Sequence, residues 1–297
     1  MKVLVIIVTY NAMRWVDRCL GSLRSSLFVP DVFVVDNGST DGTQEYIQKN
    51  YSEYIFIQSK ENLGFGKANN MGLQYAKDNN YDYVYLLNQD AWIFPDTLGT
   101  LIEISKRNPE YGILSPFQME ANLEHIDKVF KGVVCSWQSS PYLLDDLYLK
   151  KDNEIISVEF IMAAHWFITR QCFLKVGGFS PTFPHYGEDH NYIHRAHFWG
   201  FRIGLTPALQ VVHDRESRSD SRRKQIYLKY IFGLVKLSNP SINVVYALSQ
   251  ITYISLKSLF TFKSLIPIWN LVRICLGSLK ILSNRKISIR QECAFLS

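Results

Sequence analysis

Cysteine is scarce in this 297-residue sequence: five residues, Cys19, Cys135, Cys172, Cys275 and Cys293, odd in number, with no Cys-x-x-Cys pair. That excludes a disulfide frame and reads as buried thiols in a reducing compartment. No tract is of low complexity, so the composition is that of a globular chain. Residues 3–8 form the first apolar run, too short for a signal peptide and without a small-residue cleavage site. The later apolar stretches, residues 226–237, 242–262 and 265–282, are interrupted by Ser, Gln, Tyr, Lys or Asn and separated by Asn239-Pro240 and Pro267. None is a clean span of about 20 apolar residues. Acid is lacking at the end of the chain. Residues 215–297 hold 3 Asp or Glu against 14 Lys or Arg, whereas residues 1–214 hold 24 against 18, so charges of +11 and −6 make the net +5. The acidic first part excludes a nucleic-acid role, and the basic, apolar tail suits an anionic partner.

What is present begins with alternation. Residues 2–8 read as a strand ending in Thr9-Tyr10-Asn11, followed by a helix with Trp15, Val16, Leu20 and Leu23 at core spacing. Residues 32–35 read as a second strand, ending in Asp36-Asn37-Gly38-Ser39-Thr40-Asp41, where Thr40 or Asp41 caps the next helix. A third strand, residues 54–57, leads through Asn62-Leu63-Gly64-Phe65-Gly66 into a helix reaching Ala76. The fourth, Tyr83-Val84-Tyr85-Leu86-Leu87, stops abruptly at Asn88-Gln89-Asp90, with a helix start expected next and Pro95 near its first turn. Four such alternations argue an α/β fold whose central sheet is mostly parallel and flanked by helices. The polar clusters would then line one crevice at the carboxyl ends of neighbouring strands. Further strands are expected at residues 111–115, 155–161 and 201–212, with a short helix at 170–175 stopped by Gly177-Gly178.

Several residues in these clusters carry chemistry. An ionised Asp36 accepts hydrogen bonds well and suits a base or ribose. Asp90, two residues after Asn88, suits a hard divalent cation shared with phosphates, and equally a strand-end cap. Gly64-Phe65-Gly66 lacks a third glycine and follows strand three, which disfavours a dinucleotide fingerprint and leaves a tight helix entry. Glu188-Asp189 opens a helix, so the pair either complements the helix dipole or supplies a general base. His190, His194 and His197 share a helix face but lack the Glu of the protease zinc pattern and read as surface or packing residues. His213 closes the last strand.

Val8-Thr9-Tyr10-Asn11, Val35-Asp36-Asn37-Gly38-Ser39-Thr40-Asp41, Asn62-Leu63-Gly64-Phe65-Gly66 with Asn69 and Gly72, and Leu87-Asn88-Gln89-Asp90 resemble the ordered motifs of family-2 glycosyltransferases. These are inverting, sugar-nucleotide-dependent enzymes of the GT-A fold, and the resemblance is nearest to bacterial rhamnosyltransferase-like members. It covers residues 3–214. It implies that Thr9, Tyr10, Asn11 and Asp36 hold the nucleotide, with Asn37, Gly64, Lys67, Asn69, Asn88 and Gln89 on the donor side. It further implies Mg²⁺ or Mn²⁺ at Asp90 and His213, and Asp189 as general base with Glu188 beside it. His165 and Trp166 fall in a segment near sugar and acceptor, and either stack on a sugar face or pack in the core. Two departures stand out: Asn88 replaces the first acid of the Asp-x-Asp element, and Asn191 stands where a third acid is usual.

The implied activity is inverting transfer of a sugar from a TDP-rhamnose or UDP-hexose type donor to a glycan acceptor. A polyprenyl-diphosphate-linked acceptor in O-antigen or capsule synthesis fits a cytoplasmic enzyme held peripherally on the inner face of the membrane. Residues 1–214 would be the catalytic domain. Residues 215–297 would form a helical extension, with Lys257, Lys263, Arg273 and Lys280 recurring between apolar groups as in interfacial helices, or else forming a subunit contact. A nucleotidyltransferase lacks its basic Gly-rich loop here. A non-catalytic nucleotide- or glycan-binding relative is the other alternative, kept open by Asn88 and Asn191.

Overall fold

The computed structural model describes residues 1–296 apart from Trp137, Lys150, Asp152 and residues 216–220. The first half alternates as expected: β1 (Val3–Thr9), α1 (Val16–Arg24), β2 (Asp31–Asp36), α2 (Thr43–Asn50), β3 (Ile55–Gln58), α3 (Phe65–Asp78) and β4 (Tyr83–Asn88). These strands lie parallel in the order β3-β2-β1-β4. Strand β1 is central because both its faces are apolar: Leu4 and Ile6 enter one core layer, and Val3, Val5 and Ile7 the other. Register decides the rest. Thr9 pairs with Asp36 and Val8 with Asn88, so the three polar strand ends lie at one edge of the sheet.

Then come β5 (Ala91–Trp92), α4 (Thr97–Arg107), β6 (Tyr111–Met119), α5 (Lys128–Val134), α6 (Leu143–Tyr148), β7 (Ile156–Ser157), β8 (His165–Thr169), α7 (Arg170–Val176), α8 (Glu188–Phe198) and β9 (Arg202–His213). Strand β8 runs antiparallel between β4 and β6, β6 and β9 are parallel, and β5 and β7 pair antiparallel with β9. The sheet is therefore mixed. Two local expectations fail. No helix follows β4 directly: Ala91 pairs with His213 to make β5, and Pro95 lies before α4. The strand expected at 155–161 is only Ile156–Ser157, and the sheet strand is His165–Thr169. Residues 161–164 are buried apolar coil, which periodicity does not separate from a buried strand.

The tail forms α9 (Arg222–Ser238), α10 (Val244–Phe262) and α11 (Ile266–Arg290). They pack around Ile231, Leu234, Ala247, Ile251 and Ile274, joined by Phe183 from the loop before α8. Contrary to the reading of the apolar stretches, α11 is long and apolar enough to cross a membrane, with a mean hydropathy of 1.3 in its most apolar part. After α11 the chain returns to the sheet domain. The Cys293 amide donates to the Leu174 carbonyl at 2.7 Å, and the Gly178 amide donates to that of Ala294 at 2.8 Å. Lys175 pairs with Glu292, Ala294 is buried, and Leu296 packs on the main core. All five cysteines are free thiols, but Cys275 is exposed rather than buried. Arg218 of the basic run lies outside the described residues.

Candidate active site

The first wall of the site is a hydrogen-bonded web between the ends of β1 and β2. Asp36 is fully buried. Its Oδ1 accepts from the Gly38 and Ser39 amides and Gln44 Nε2 at 3.0, 2.9 and 2.7 Å. Its Oδ2 accepts from the Thr9 and Ser39 hydroxyls at 2.9 and 2.5 Å. The expectation that Asp36 accepts directly from a base or ribose is corrected: both oxygens are taken, and the carboxylate braces the loop. Asn11, at φ 51°, takes part in the same web. Its amide donates to Ser39 Oγ at 2.8 Å and its Oδ1 accepts from the Thr40 amide at 2.9 Å. Tyr10, between Thr9 and Asn11, is 48% exposed.

Gln89 ties β4 to this wall. Its Oε1 accepts from the Tyr10 amide at 2.6 Å and its Nε2 donates to the Tyr10 carbonyl at 3.2 Å. Asn37 is buried, and its Oδ1 accepts from the Leu63 amide at 3.3 Å, joining the β2 end to the Gly64 loop. Lys67 is exposed on the first turn of α3. Asn69 is buried and its Nδ2 donates back to the Phe65 carbonyl at 2.9 Å, so the expected donor-side group serves its own helix instead.

Asp90 and His213 meet because β5 pairs with β9, and the Asp214 amide donates to the Asp90 carbonyl at 2.8 Å. His213 Nε2 lies 3.4 Å from Asp90 Oδ1. The amide oxygen of buried Gln118 stands 3.1 Å from His213 Nδ1. An amide oxygen only accepts, so Nδ1 carries a proton toward Gln118 and Nε2 is the ring nitrogen that faces Asp90. Burial pushes the Asp90 carboxyl up, but the His213 hydrogen bond and charge, with Arg215, hold it below its ordinary value. A carboxylate facing an imidazole Nε2, which becomes a ligand once it gives up its proton, fits Mn²⁺ or Mg²⁺, whose remaining positions phosphate and water commonly fill. Among the described residues no third His, Cys, Asp or Glu joins them.

His165 and Trp166 are both fully buried, which corrects the sugar-stacking reading in favour of the packed pair. His165 Nε2 donates to the Val212 carbonyl at 2.9 Å, so Nδ1 accepts from the Tyr85 hydroxyl at 2.8 Å. Burial, with the neighbouring His213 charge, pushes its pKa down to about 3. Its task is to brace β9 one residue before His213. Trp166 stacks on Phe179 with centroids 6.3 Å apart and meets the tilted Tyr192 ring at 5.6 Å.

The second wall is the start of α8. Gly187, at φ 85°, caps the helix, and Glu188 and Asp189 occupy its first turn. Asp189 Oδ1 accepts from the His190 amide at 2.7 Å and lies 3.1 Å from His190 Nδ1. Glu188 is buried, and its Oε2 has no hydrogen-bond partner among the described residues. Burial first, and then the Asp189 charge, push the Glu188 carboxyl up to about 7. Two bridges join this wall to the sheet edge. The Phe160 ring stacks on His190 at 3.7 Å, and four residues later the Ala164 carbonyl accepts from the Asn88 amide at 3.1 Å. On the other side Gly64 lies under the Pro184 carbonyl, which a Cβ there would approach to 2.5 Å. Gln118 and Phe160 escaped the sequence reading, and Ser39 entered it as a motif member without its contact to Asp36; Gln118, which with Ser115 interrupts an apolar strand, left a signal.

Residues 4–164 match the family profile "Glycosyl transferase family 2". Among characterised proteins, the N-acetylglucosaminyl-diphospho-decaprenol L-rhamnosyltransferase of Mycobacterium tuberculosis is 24% identical over 231 residues, 71% of this chain and 75% of that one. The poly-beta-1,6-N-acetyl-D-glucosamine synthase of Staphylococcus aureus is 27% identical over 113 residues, 37% of this chain and 27% of its own. Among solved structures, S. aureus TarS 1–349 in complex with UDP-GlcNAc superposes with a TM-score of 0.60 at 14% identity, covering 97% of this chain and 84% of that one. GalNAc-T7 with UDP, GalNAc and Mn²⁺ gives 0.58 at 13%, covering 81% and 50%. The profile spans more than half of the chain: this protein belongs to glycosyl transferase family 2 and has the GT-A fold.

Proposed function

We propose that this glycosyltransferase is metal-assisted and inverting, and that it moves a sugar from a TDP-rhamnose or UDP-hexose type donor to a polyprenyl-diphosphate-linked glycan. Its setting would be bacterial surface polysaccharide assembly on the inner face of the cell membrane. The observation that carries the reading is the Asp90–His213 pair, 3.4 Å apart, on the edge where Thr9, Asp36 and Asn88 also end. The decaprenol-linked substrate in the name of the mycobacterial relative supports a lipid-linked acceptor. In this reading residues 1–214 carry the chemistry and residues 215–297 place it.

Tyr10, Asn11 and Asn37 receive the nucleotide, and Asp36, Gln44 and Gln89 hold the loops that present them. Asp90 and His213 would hold a divalent cation, which when bound offsets the charge growing on the departing nucleoside diphosphate. Asp189 takes the proton of the acceptor hydroxyl as that oxygen attacks the anomeric carbon, and a single displacement inverts the configuration. His190 keeps Asp189 oriented through two contacts at Oδ1. Glu188 keeps its proton up to about pH 7, which relieves like-charge repulsion beside the base.

Calorimetric titration with nucleoside diphosphates tests the reading. Tight binding in Mn²⁺ is expected, and none would favour a non-catalytic glycan-binding protein. Asp189→Asn should fold, bind the nucleotide as the wild type does, and lose transfer by about 10²–10⁴-fold. Retained turnover would remove Asp189 from the role.

A further inference from the structure

We propose that the outward face of the α10–α11 hairpin is a docking surface for an anionic lipid bilayer, and that α9 couples this surface to the loop carrying the base. The proposal rests on the lipid-linked acceptor reading and gives it a geometry.

The face is built on a regular spacing. Leu265, Trp269, Val272, Leu276 and Leu279 recur every three or four residues along α11 and are all exposed, Leu276 and Leu279 by 81% and 83%. Ile274 and Ile281, on the opposite side, are buried against the other helices. Along α10, Tyr246, Tyr253, Leu256 and Phe260 make a matching exposed row. Leaving this much apolar surface in water is unfavourable, and a soluble monomer rarely does so.

Charge selects the occupant. Residues 222–290 contain no Asp or Glu, and 12 of them are Lys or Arg. Lys257, Lys263, Arg273 and Lys280 lie exposed along the two rows. Two copies meeting through this face would set like charge against like, whereas an anionic leaflet attracts each cation. Arg273 and Lys280 also fall within α11, which favours a helix lying in the interface over one crossing the bilayer.

The coupling runs through α9. The Tyr227 hydroxyl donates to the His185 carbonyl at 3.2 Å. A Cβ on Gly187 would come within 2.7 Å of Ile231 and 2.9 Å of Val235. Glu188 and Asp189 follow directly, so α9, packed on the two helices that touch lipid, also holds the base loop.

Flotation of the full chain with vesicles decides the matter. The chain should float with phosphatidylglycerol–phosphatidylcholine vesicles and stay behind with pure phosphatidylcholine. Neutralising Lys257, Lys263, Arg273 and Lys280 to Gln should cut partitioning by about fivefold per charge. Trp269→Glu with Leu276→Glu should abolish flotation while hydrolysis of a nucleotide sugar in water is unchanged. That second readout separates the two proposals: lost hydrolysis in the wild type would overturn the donor reading and leave docking intact. Absence of flotation with either vesicle would overturn the docking surface. So would a concentration-dependent dimer that Trp269→Glu dissolves, or retention on the vesicles through carbonate washing.

Discussion

Glu188 and Asp189 are neighbours in sequence with opposite surroundings. Asp189 lies against His190, while Glu188 is buried with one oxygen left unpartnered among the described residues. The Glu188 carboxyl is raised from 4.5 to about 7 in the fold. The folded chain therefore binds this proton more tightly than the unfolded chain. Stability from this group is complete below about pH 4.5 and is lost as pH rises through 7. Glu188→Gln should accordingly stabilise the protein more at alkaline than at acid pH, by about 1–3 kcal/mol. Urea melts at both pH values check this, and an equal effect at both would mean that the fold leaves the Glu188 carboxyl unshifted. Asp36 is the opposite case. Nothing in Val35-Asp36-Asn37-Gly38-Ser39 distinguishes a carboxylate offered to a ligand from one consumed by its own loop. The difference lies in Thr9 and Gln44, which only the folded register brings to it.

At the scale of elements, the alternation of β1 to β4 with their helices was legible because each strand is a short apolar run ended by a polar cluster. The mixed half was not. Strands β5 and β7 are two residues each and exist only through pairing with β9, so no local pattern announces them. Residues 161–164 are as apolar as a strand and as buried, yet with Phe160 they form the coil that joins Asn88 to His190. The site was legible in the same proportion. Asp90 and the Glu188–Asp189 pair stood out as acids at element ends, whereas the Gln118 contact that fixes the His213 proton depends on β6 lying beside β9. The junction of α8 with α9 yields a prediction of its own. Gly187→Ala places a side chain at φ 85° and against Ile231, which should cost about 2–4 kcal/mol and lower turnover more than nucleotide affinity. Thermal melts with kinetics test it; a neutral outcome would mean that the base loop does not depend on α9.

Over the whole molecule, the tail is tied to the catalytic part at both ends. Helix α9 meets the base loop, and residues 292–296 close on α7 and α8 after the chain has passed through α10 and α11. Arg195 shows how tightly. It is fully buried on α8, donates to the Val176 and Gly178 carbonyls at 2.9 and 2.5 Å, and lies 5.3 Å from the Phe295 ring. Deleting residues 291–297 should remove about 2–4 kcal/mol of stability through lost burial and the two backbone bonds. An unchanged melting temperature would mean that the clasp is ornamental.

The central claim is that groups from Thr9 to His213 form one site for a nucleoside diphosphate and its cation, and crystals soaked with nucleoside diphosphate and Mn²⁺ test it directly. Anomalous density for one ion touching Asp90 and His213, bridging to the diphosphate beside the Tyr10–Asn37 wall and absent in Asp90→Ala, is the predicted result. An ion or nucleotide bound elsewhere, or unchanged in Asp90→Ala, would contradict it.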